Sequence, residues 1–327
     1  MADLANRVDA YQRGHRGIGV PLAVVYKFFD DQANYLAATI TYYAFVAIFP
    51  LLLIASSVLG FLLQGNEALK DRVLSSALGQ FPIVGTQLGR PEGLQGSTSA
   101  VVVGSIAALY GVLGLAQAAQ NAVNVTWAVP RNSRLNPVVS RLRGFFLLTL
   151  AGLTVVAIAV LTSLAGHLEM FGPGLDTGVR WLVRAASVVL NAFVLAVMMR
   201  LATSERQPFR AVLPGAVAVA VMWQLLQTVG GLYVSRVIAR ASDMNAVFAV
   251  VLGLVALLYI ASVMAVLGLE INVVLAQRLY PRALLTPFTD AVELTEADRR
   301  VYTDYARAQR HKGFQQVEVT FEDSDPS

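Results

Sequence analysis

A small set of amides and one carboxyl group lie within stretches of this sequence that are otherwise apolar. A polar side chain surrounded by hydrocarbon must find a polar partner, so it is expected to face a neighbouring helix or a wet cavity. These are the side chains with the clearest potential for chemistry: Gln117, Gln120, Asn121, Asn124, Asn191, Gln224, Gln227 and Glu270.

The amides near position 120 have helical spacing. Gln117, Asn121 and Asn124 stand at i, i+4 and i+7, which predicts one stripe on a helix, with Gln120 beside it. The stripe is expected to face the protein interior, and Asn191, Gln224 and Gln227 could complete a polar seam there. The polar seam either joins helices by hydrogen bonds or forms a substrate path, and the sequence leaves both interpretations open.

Three residues are candidates for coupling or gating: Pro50, Glu270 and Asn272. Glu270 is expected near the inner end of its span, where Arg143 or Arg200 could pair with it. Structural pairing and proton coupling or gating both remain open for this acid. Pro50 removes one backbone hydrogen bond deep in an apolar stretch, so it predicts a kink or a break in the helix.

Motifs typical of enzymes and metal sites are missing from the sequence. The three histidines fall in the N-terminal arm, an outer loop and the C-terminal tail of the predicted topology, so they cannot share a metal ion. The chain contains no cysteine and no Walker-type phosphate loop. We therefore expect no catalytic residues, no metal and no cofactor, and we do not expect an enzyme.

The composition predicts a membrane protein. Hydrophobic residues make up 56% of the 327 residues, charged residues only 14%, and the mean hydropathy is +0.60, which leaves too few polar side chains to cover a soluble body. About 20 apolar residues suffice to cross a bilayer. Six windows meet this need: Gln32–Asn66, Gly93–Pro130, Gly144–Leu168, Trp181–Met199, Ala211–Ser235 and Met244–Leu269.

The expected fold class is therefore all-α, a polytopic membrane bundle of six transmembrane helices with interfacial amphipathic helices. Residues 1–34 would form a cytoplasmic N-terminal arm with an interfacial helix, residues 35–277 the six-helix transmembrane domain, and residues 278–327 a cytoplasmic, partly disordered tail. Lysine and arginine resist translocation, and six spans place 18 of the 25 on the side of the two termini. Both termini are accordingly predicted to be cytoplasmic.

Shorter helices are predicted outside the spans. Val20–Phe29, with Pro21 at its first position, has the pattern of an interfacial helix, and Asn66–Phe81 has a similar pattern. Thr295 and Asp298 resemble a capping box that opens a charged helix running toward Lys312.

Several segments together resemble the YihY/BrkB family of bacterial inner-membrane proteins. They are the first span with its aromatic pair and Phe-Pro pair at Pro50, the polar end of the second span from Asn121 to Trp127, the fifth span from Pro214 to Tyr233, and the Gly-x-Glu-x-Asn ending at Gly268, Glu270 and Asn272. The resemblance implies a multi-pass protein of the bacterial cytoplasmic (inner) membrane, linked to envelope integrity and lipid handling.

Two functional hypotheses follow, and a third has less support. The first is transport or flipping of a lipid or lipid-like substrate, with membrane lipids as partners and the polar seam passing a headgroup. The second is a non-transporting scaffold for an envelope complex, acting with envelope proteins or as a homo-oligomer. A membrane hydrolase is the third. No nucleic-acid partner is expected, because membrane topology accounts for the basic loops.

Overall fold

The described part of the chain is mainly α-helical. The computed structural model describes residues 2–62, 98–168, 176–236, 243–284 and 292–321, and no strand occurs among them. The helices there are α1 (Ala2–Gly14), α2 (Arg16–Asp30), α3 (Ala33–Leu62), α4 (Thr98–Thr126), α5 (Pro137–Leu168), α6 (Asp176–Ala202), α7 (Phe209–Arg236), α8 (Asp243–Gln277) and α9 (Glu296–Ala308).

The long helices α3 to α8 form a ring in chain order. Each packs against the next helix along the chain, and α8 packs back against α3. Helix α4 also contacts α6 and α8 across the ring, while α2 packs against α8. Small side chains fill the contacts, because they allow helix backbones to approach closely in a bilayer. Ala37, Ala122, Ala196 and Ala216 are buried in this way.

The outer surface of the ring is apolar. Large hydrophobic side chains stand exposed on α4 to α8, among them Leu109, Phe146, Phe193, Leu225 and Leu252. A soluble protein rarely exposes so much apolar surface, whereas a membrane protein turns it toward lipid. The chain is therefore built as an integral membrane protein.

Four segments are long and apolar enough to cross a membrane: Pro137–Ile158, Ala185–Ala202, Phe209–Val229 and Val251–Gln277. Helix α3 contributes the shorter apolar segment Ala33–Ile48 among the residues searched. The prediction of six spans stays a prediction, although all six windows coincide with helices of 27 to 35 residues.

Glycine allows α7 and α8 to touch. A Cβ atom on Gly215 would lie 1.8 Å from the carbonyl oxygen of Gly268, a distance that no side chain tolerates. A Cβ atom on Gly268 would in turn lie 2.3 Å from Val219 Cγ2. The two glycines thus set the spacing between α7 and α8, the helix that carries the Gly-x-Glu-x-Asn segment.

Some boundaries differ from those that the sequence predicts. Helix α2 begins at Arg16, so Pro21 lies inside it rather than at its first position. Helix α3 continues through Pro50, so the helix does not break there, and the expected kink stays a prediction. The capping box of Thr295 and Asp298 is confirmed, but α9 ends at Ala308. The predicted helix Asn66–Phe81 lies outside the described residues.

Candidate functional site

Three charged side chains meet at one buried point between α2 and α8. Lys27 Nζ lies 2.6 Å from Asp31 Oδ2 and 3.5 Å from Glu270 Oε2. Lys27 and Asp31 are one helical turn apart at the end of α2, which lets their side chains meet. We call Lys27, Asp31 and Glu270 the Lys27 cluster.

The Lys27 cluster is closed off from solvent. Its side chains are 3%, 1% and 0% exposed, in the order Lys27, Asp31, Glu270. Burial by itself lowers the pKa of Lys27, but the negative charge held by Glu270 and Asp31 outweighs burial, so the pKa is raised. Lys27 is therefore an ammonium ion that two carboxyl groups share.

The C-terminal helix covers this cluster. The ring of Tyr305, on α9, lies 5.3 Å from Lys27 Nζ, within the range of a cation–π contact. Burial, followed by the negative charges of Asp31 and Asp30, raises the pKa of Tyr305 well above its usual value. Its hydroxyl group consequently keeps its proton at any physiological pH.

A second buried ion cluster joins both ends of the chain. Arg282 hydrogen-bonds to Asp298 of α9 and, at 3.1 Å, to Asp30 of α2. Asp298 also accepts from the backbone N–H of Ala283 at 2.9 Å, and Gln12 of α1 donates to the Arg282 carbonyl at 2.6 Å. This Arg282 cluster, of Arg282, Asp30 and Asp298, ties α1, α2 and α9 to the segment after α8.

The Gly-x-Glu-x-Asn segment of α8 contacts three other helices. Gly268 meets α7, Glu270 faces Lys27, and Asn272 is fully buried. Asn272 Oδ1 accepts a hydrogen bond from the Gly215 N–H at 2.6 Å, and its Nδ2 faces Met199 Sδ at 3.4 Å. Asn272 therefore joins α8 to α6 and α7, which is a packing role.

The predicted partners of Glu270 were wrong. Arg143 donates instead to the Thr203 carbonyl at 2.7 Å, and Arg200 is exposed. Helix α8 runs eight residues beyond Leu269, so Glu270 lies about two turns from the helix end. At that depth α2, rather than the inner ends of α5 and α6, reaches the acid.

The structure divides the predicted amide stripe on α4. Gln120 and Asn124 are buried, whereas Gln117 and Asn121 are exposed. Gln120 exchanges hydrogen bonds with Ser140 of α5, donating to its carbonyl at 3.0 Å and accepting from its hydroxyl at 3.1 Å. Asn124 Oδ1 accepts from the Ser204 N–H at 2.9 Å. The expectation that the whole stripe faces the interior is therefore corrected.

The exposed half of the stripe ends at an arginine. Arg134 donates to Asn121 Oδ1 at 3.0 Å and to the Val129 carbonyl at 3.3 Å. Burial and the nearby Arg131 lower the pKa of Arg134, and no carboxylate pairs with it in the ranges that the structure describes. We call Gln117, Asn121 and Arg134 the outer polar strip.

The remaining seam residues lie on neighbouring helices. Asn191 on α6 and Gln224 and Gln227 on α7 are half-buried. Helix α6 packs against both α4 and α7, so the three amides lie on adjoining elements. Among the described residues, neither Asn191 nor Gln224 hydrogen-bonds to the α4 amides.

Sequence reasoning missed most of the charged residues of the two clusters. Lys27, Asp31 and Arg282 fall in segments that the topology argument treats as loops and arms. One signal was available, because Lys27 and Asp31 have the spacing of a helical ion pair within a largely apolar helix. Their burial depends on α2 packing against α8, which sequence spacing does not specify.

Comparison with known proteins identifies a family. The family model described as Virulence factor BrkB matches residues 24–290. No curated protein and no solved structure gives a significant match to the chain. The match covers both the long-helix ring and the Gly-x-Glu-x-Asn segment, and it agrees with the resemblance found in the sequence. The chain belongs to the BrkB family.

Proposed function

We propose that this protein moves a lipid or a lipid-like molecule across the bacterial cytoplasmic membrane. The observation that carries the proposal is the outer polar strip, in which the amides of Gln117 and Asn121 are exposed on α4 and the half-buried guanidinium group of Arg134 hydrogen-bonds to Asn121. The headgroup follows the strip while the acyl chains stay in the bilayer.

The strip is out of place on an apolar surface. On the same face of α4, Ile106, Leu109 and Tyr110 are exposed, so the face changes from apolar to polar along the helix. Asn121 has Arg134 as a partner, but an amide at Gln117 that faced hydrocarbon without a partner would cost about 1–3 kcal/mol. A polar headgroup would remove this cost, whereas an acyl chain would not.

The charge of Arg134 favours the same substrate class. Its guanidinium group is half-buried and faces Asn121, so it can bind an anionic headgroup that reaches the end of the strip. Arginine suits phosphate because its donors form a planar fork. A lipid phosphate is therefore the chemistry that the strip fits best.

The two buried amides of α4 are not part of the proposed path. Gln120 hydrogen-bonds to α5, and Asn124 hydrogen-bonds to the loop after α6. Replacing them therefore tests packing rather than transport. The informative substitutions are Gln117→Leu and Asn121→Leu together. Both side chains are exposed, so their loss is expected to leave the fold intact.

The test is lipid movement in vesicles that contain the purified protein. Fluorescent phospholipids in the inner leaflet become accessible to a membrane-impermeant quencher only after they cross. We expect the wild type to accelerate crossing and Gln117→Leu with Asn121→Leu to slow it at least tenfold, which corresponds to about 1.4 kcal/mol.

A matched control is available on α5. Thr149 is exposed and hydrogen-bonds only to its own helix, at the Phe145 carbonyl, so Thr149→Leu makes a similar polar-to-apolar change away from the strip. This variant should keep the wild-type rate. Equal rates for the strip variant and the wild type would instead favour the scaffold function, in which the strip contacts another protein.

A further inference from the structure

We propose that the Lys27 cluster is a proton-binding site, in which Glu270 carries one exchangeable proton hydrogen-bonded to Asp31. This inference does not depend on what the protein transports. It rests on the charges, the hydrogen bonds and the burial of the cluster.

The charges do not balance without a proton. Lys27 supplies one positive charge, and Asp31 and Glu270 would supply two negative charges in a site that is almost fully buried. An unpaired buried charge costs several kcal/mol, and a carboxyl group avoids that cost by taking up a proton. One proton makes the cluster neutral.

Among the residues that the structure describes, the neighbouring groups cannot supply the missing positive charge. From the segment after α8, Arg282 is already shared by two carboxylates, Asp30 of α2 and Asp298 of α9. Helix α9 also brings Tyr305, which is neutral, and Asp304, another acid. Every charged group that faces the cluster from these elements therefore leaves its negative excess in place.

Three of the buried carboxyl oxygens of the cluster also lack hydrogen-bond donors among the described residues. Within the described part of the chain, both oxygens of Glu270 and Oδ1 of Asp31 are buried and accept no hydrogen bond. Asp31 Oδ2 and Glu270 Oε2 lie 2.6 Å and 3.5 Å from the same Lys27 Nζ, so the two carboxyl groups are neighbours at this ammonium group. A proton on Glu270 would turn one of these acceptors into a donor, so that Glu270 donates to Asp31.

The distances assign the proton to Glu270 rather than to Asp31. The ammonium group lies 2.6 Å from Asp31 and 3.5 Å from Glu270. The closer carboxylate gains more from the positive charge and stays ionised. The proton therefore resides on the acid of α8, where α2, α8 and α9 meet.

Infrared spectroscopy of the purified protein tests the proposal. A protonated carboxylic acid has a carbonyl band separate from those of carboxylates and amides. We expect Glu270→Gln to lose the band of one protonated carboxyl group per chain at neutral pH. The exposed Glu293 provides the control, because Glu293→Gln should keep that band.

A second variant keeps the test decisive if Glu270→Gln does not fold. Asp31→Asn leaves one carboxylate for one ammonium ion, so Glu270 should ionise and the band should disappear although Glu270 is present. The proposal is overturned if the wild type lacks the band from about pH 5 to about pH 8. It is equally overturned if Asp31→Asn retains the band.

Discussion

Removing Lys27 should destabilise the protein far more than replacing Glu270 by glutamine. Lys27→Met takes away the only cation of the Lys27 cluster and leaves Asp31 and Glu270 buried together. Glu270→Gln keeps the 2.6 Å pair of Lys27 and Asp31 and replaces a carboxyl group by an amide of nearly equal size. The two substitutions act at the same place, but Lys27→Met removes the positive charge of the cluster, whereas Glu270→Gln leaves its charge balance unchanged.

The magnitudes follow from burial. Breaking a buried ion pair by removing one partner costs about 3–5 kcal/mol, because the other charge stays behind without compensation. Exchanging a neutral acid for an amide changes a hydrogen bond at most, which costs about 1 kcal/mol. We therefore expect Lys27→Met to lower the free energy of unfolding by at least 2 kcal/mol more than Glu270→Gln does, roughly the difference between these two values.

Titration with SDS in mixed micelles measures both free energies of unfolding. The pKa of Lys27 is raised in the folded protein, so its stabilisation is present below the unfolded pKa of about 10.4 and is lost only as pH rises through the folded pKa. At neutral pH, Lys27 is therefore fully charged, and the measurement compares the variants with a wild type that has the full ion pair. Equal losses for the two variants, or a larger loss for Glu270→Gln, would refute the charge balance described here.

Two further predictions concern packing and orientation. Gly215→Ala should lower the free energy of unfolding by about 1–3 kcal/mol, because its Cβ atom would meet the Gly268 carbonyl. The control Gly152→Ala has open space at its Cβ atom and should not destabilise the protein. Similar losses of stability in the two variants would contradict the close contact of α7 and α8. Because the chain contains no cysteine, a single introduced cysteine, Ser133→Cys or Gly178→Cys, reports the side of the membrane on which it lies. In spheroplasts, a membrane-impermeant maleimide should label Gly178→Cys at once and Ser133→Cys only after permeabilisation. The reverse pattern would contradict cytoplasmic termini.

The long helices could be located from the sequence because charges avoid hydrocarbon. All six windows coincide with helices, but several helices continue past the apolar part. Helix α5 begins at Pro137, seven residues before Gly144, and α8 ends at Gln277, beyond Leu269. A helix continues into the polar region wherever its backbone hydrogen bonds continue, so hydropathy marks the membrane and not the helix end.

The site was predictable only in part. The cost of a charge in a bilayer singles out Glu270, and no property of α8 alone indicates that α2 supplies its cation. Helical spacing shows that Gln117 and Asn121 share a side, but it does not show which side faces the neighbouring helices. The cation that pairs with Glu270 and the covered side of α4 both depend on tertiary packing. Helix α2 packs against α8, and α5 packs against the side of α4 that carries Gln120.

The measurement that tests the proposed function most directly is the rate at which phospholipids cross vesicles containing only the purified wild-type chain. The outer polar strip predicts faster crossing than in protein-free vesicles, with a larger increase for anionic than for zwitterionic phospholipids because of Arg134. A rate equal to that of protein-free vesicles, for folded and correctly inserted protein, would contradict lipid movement by this chain.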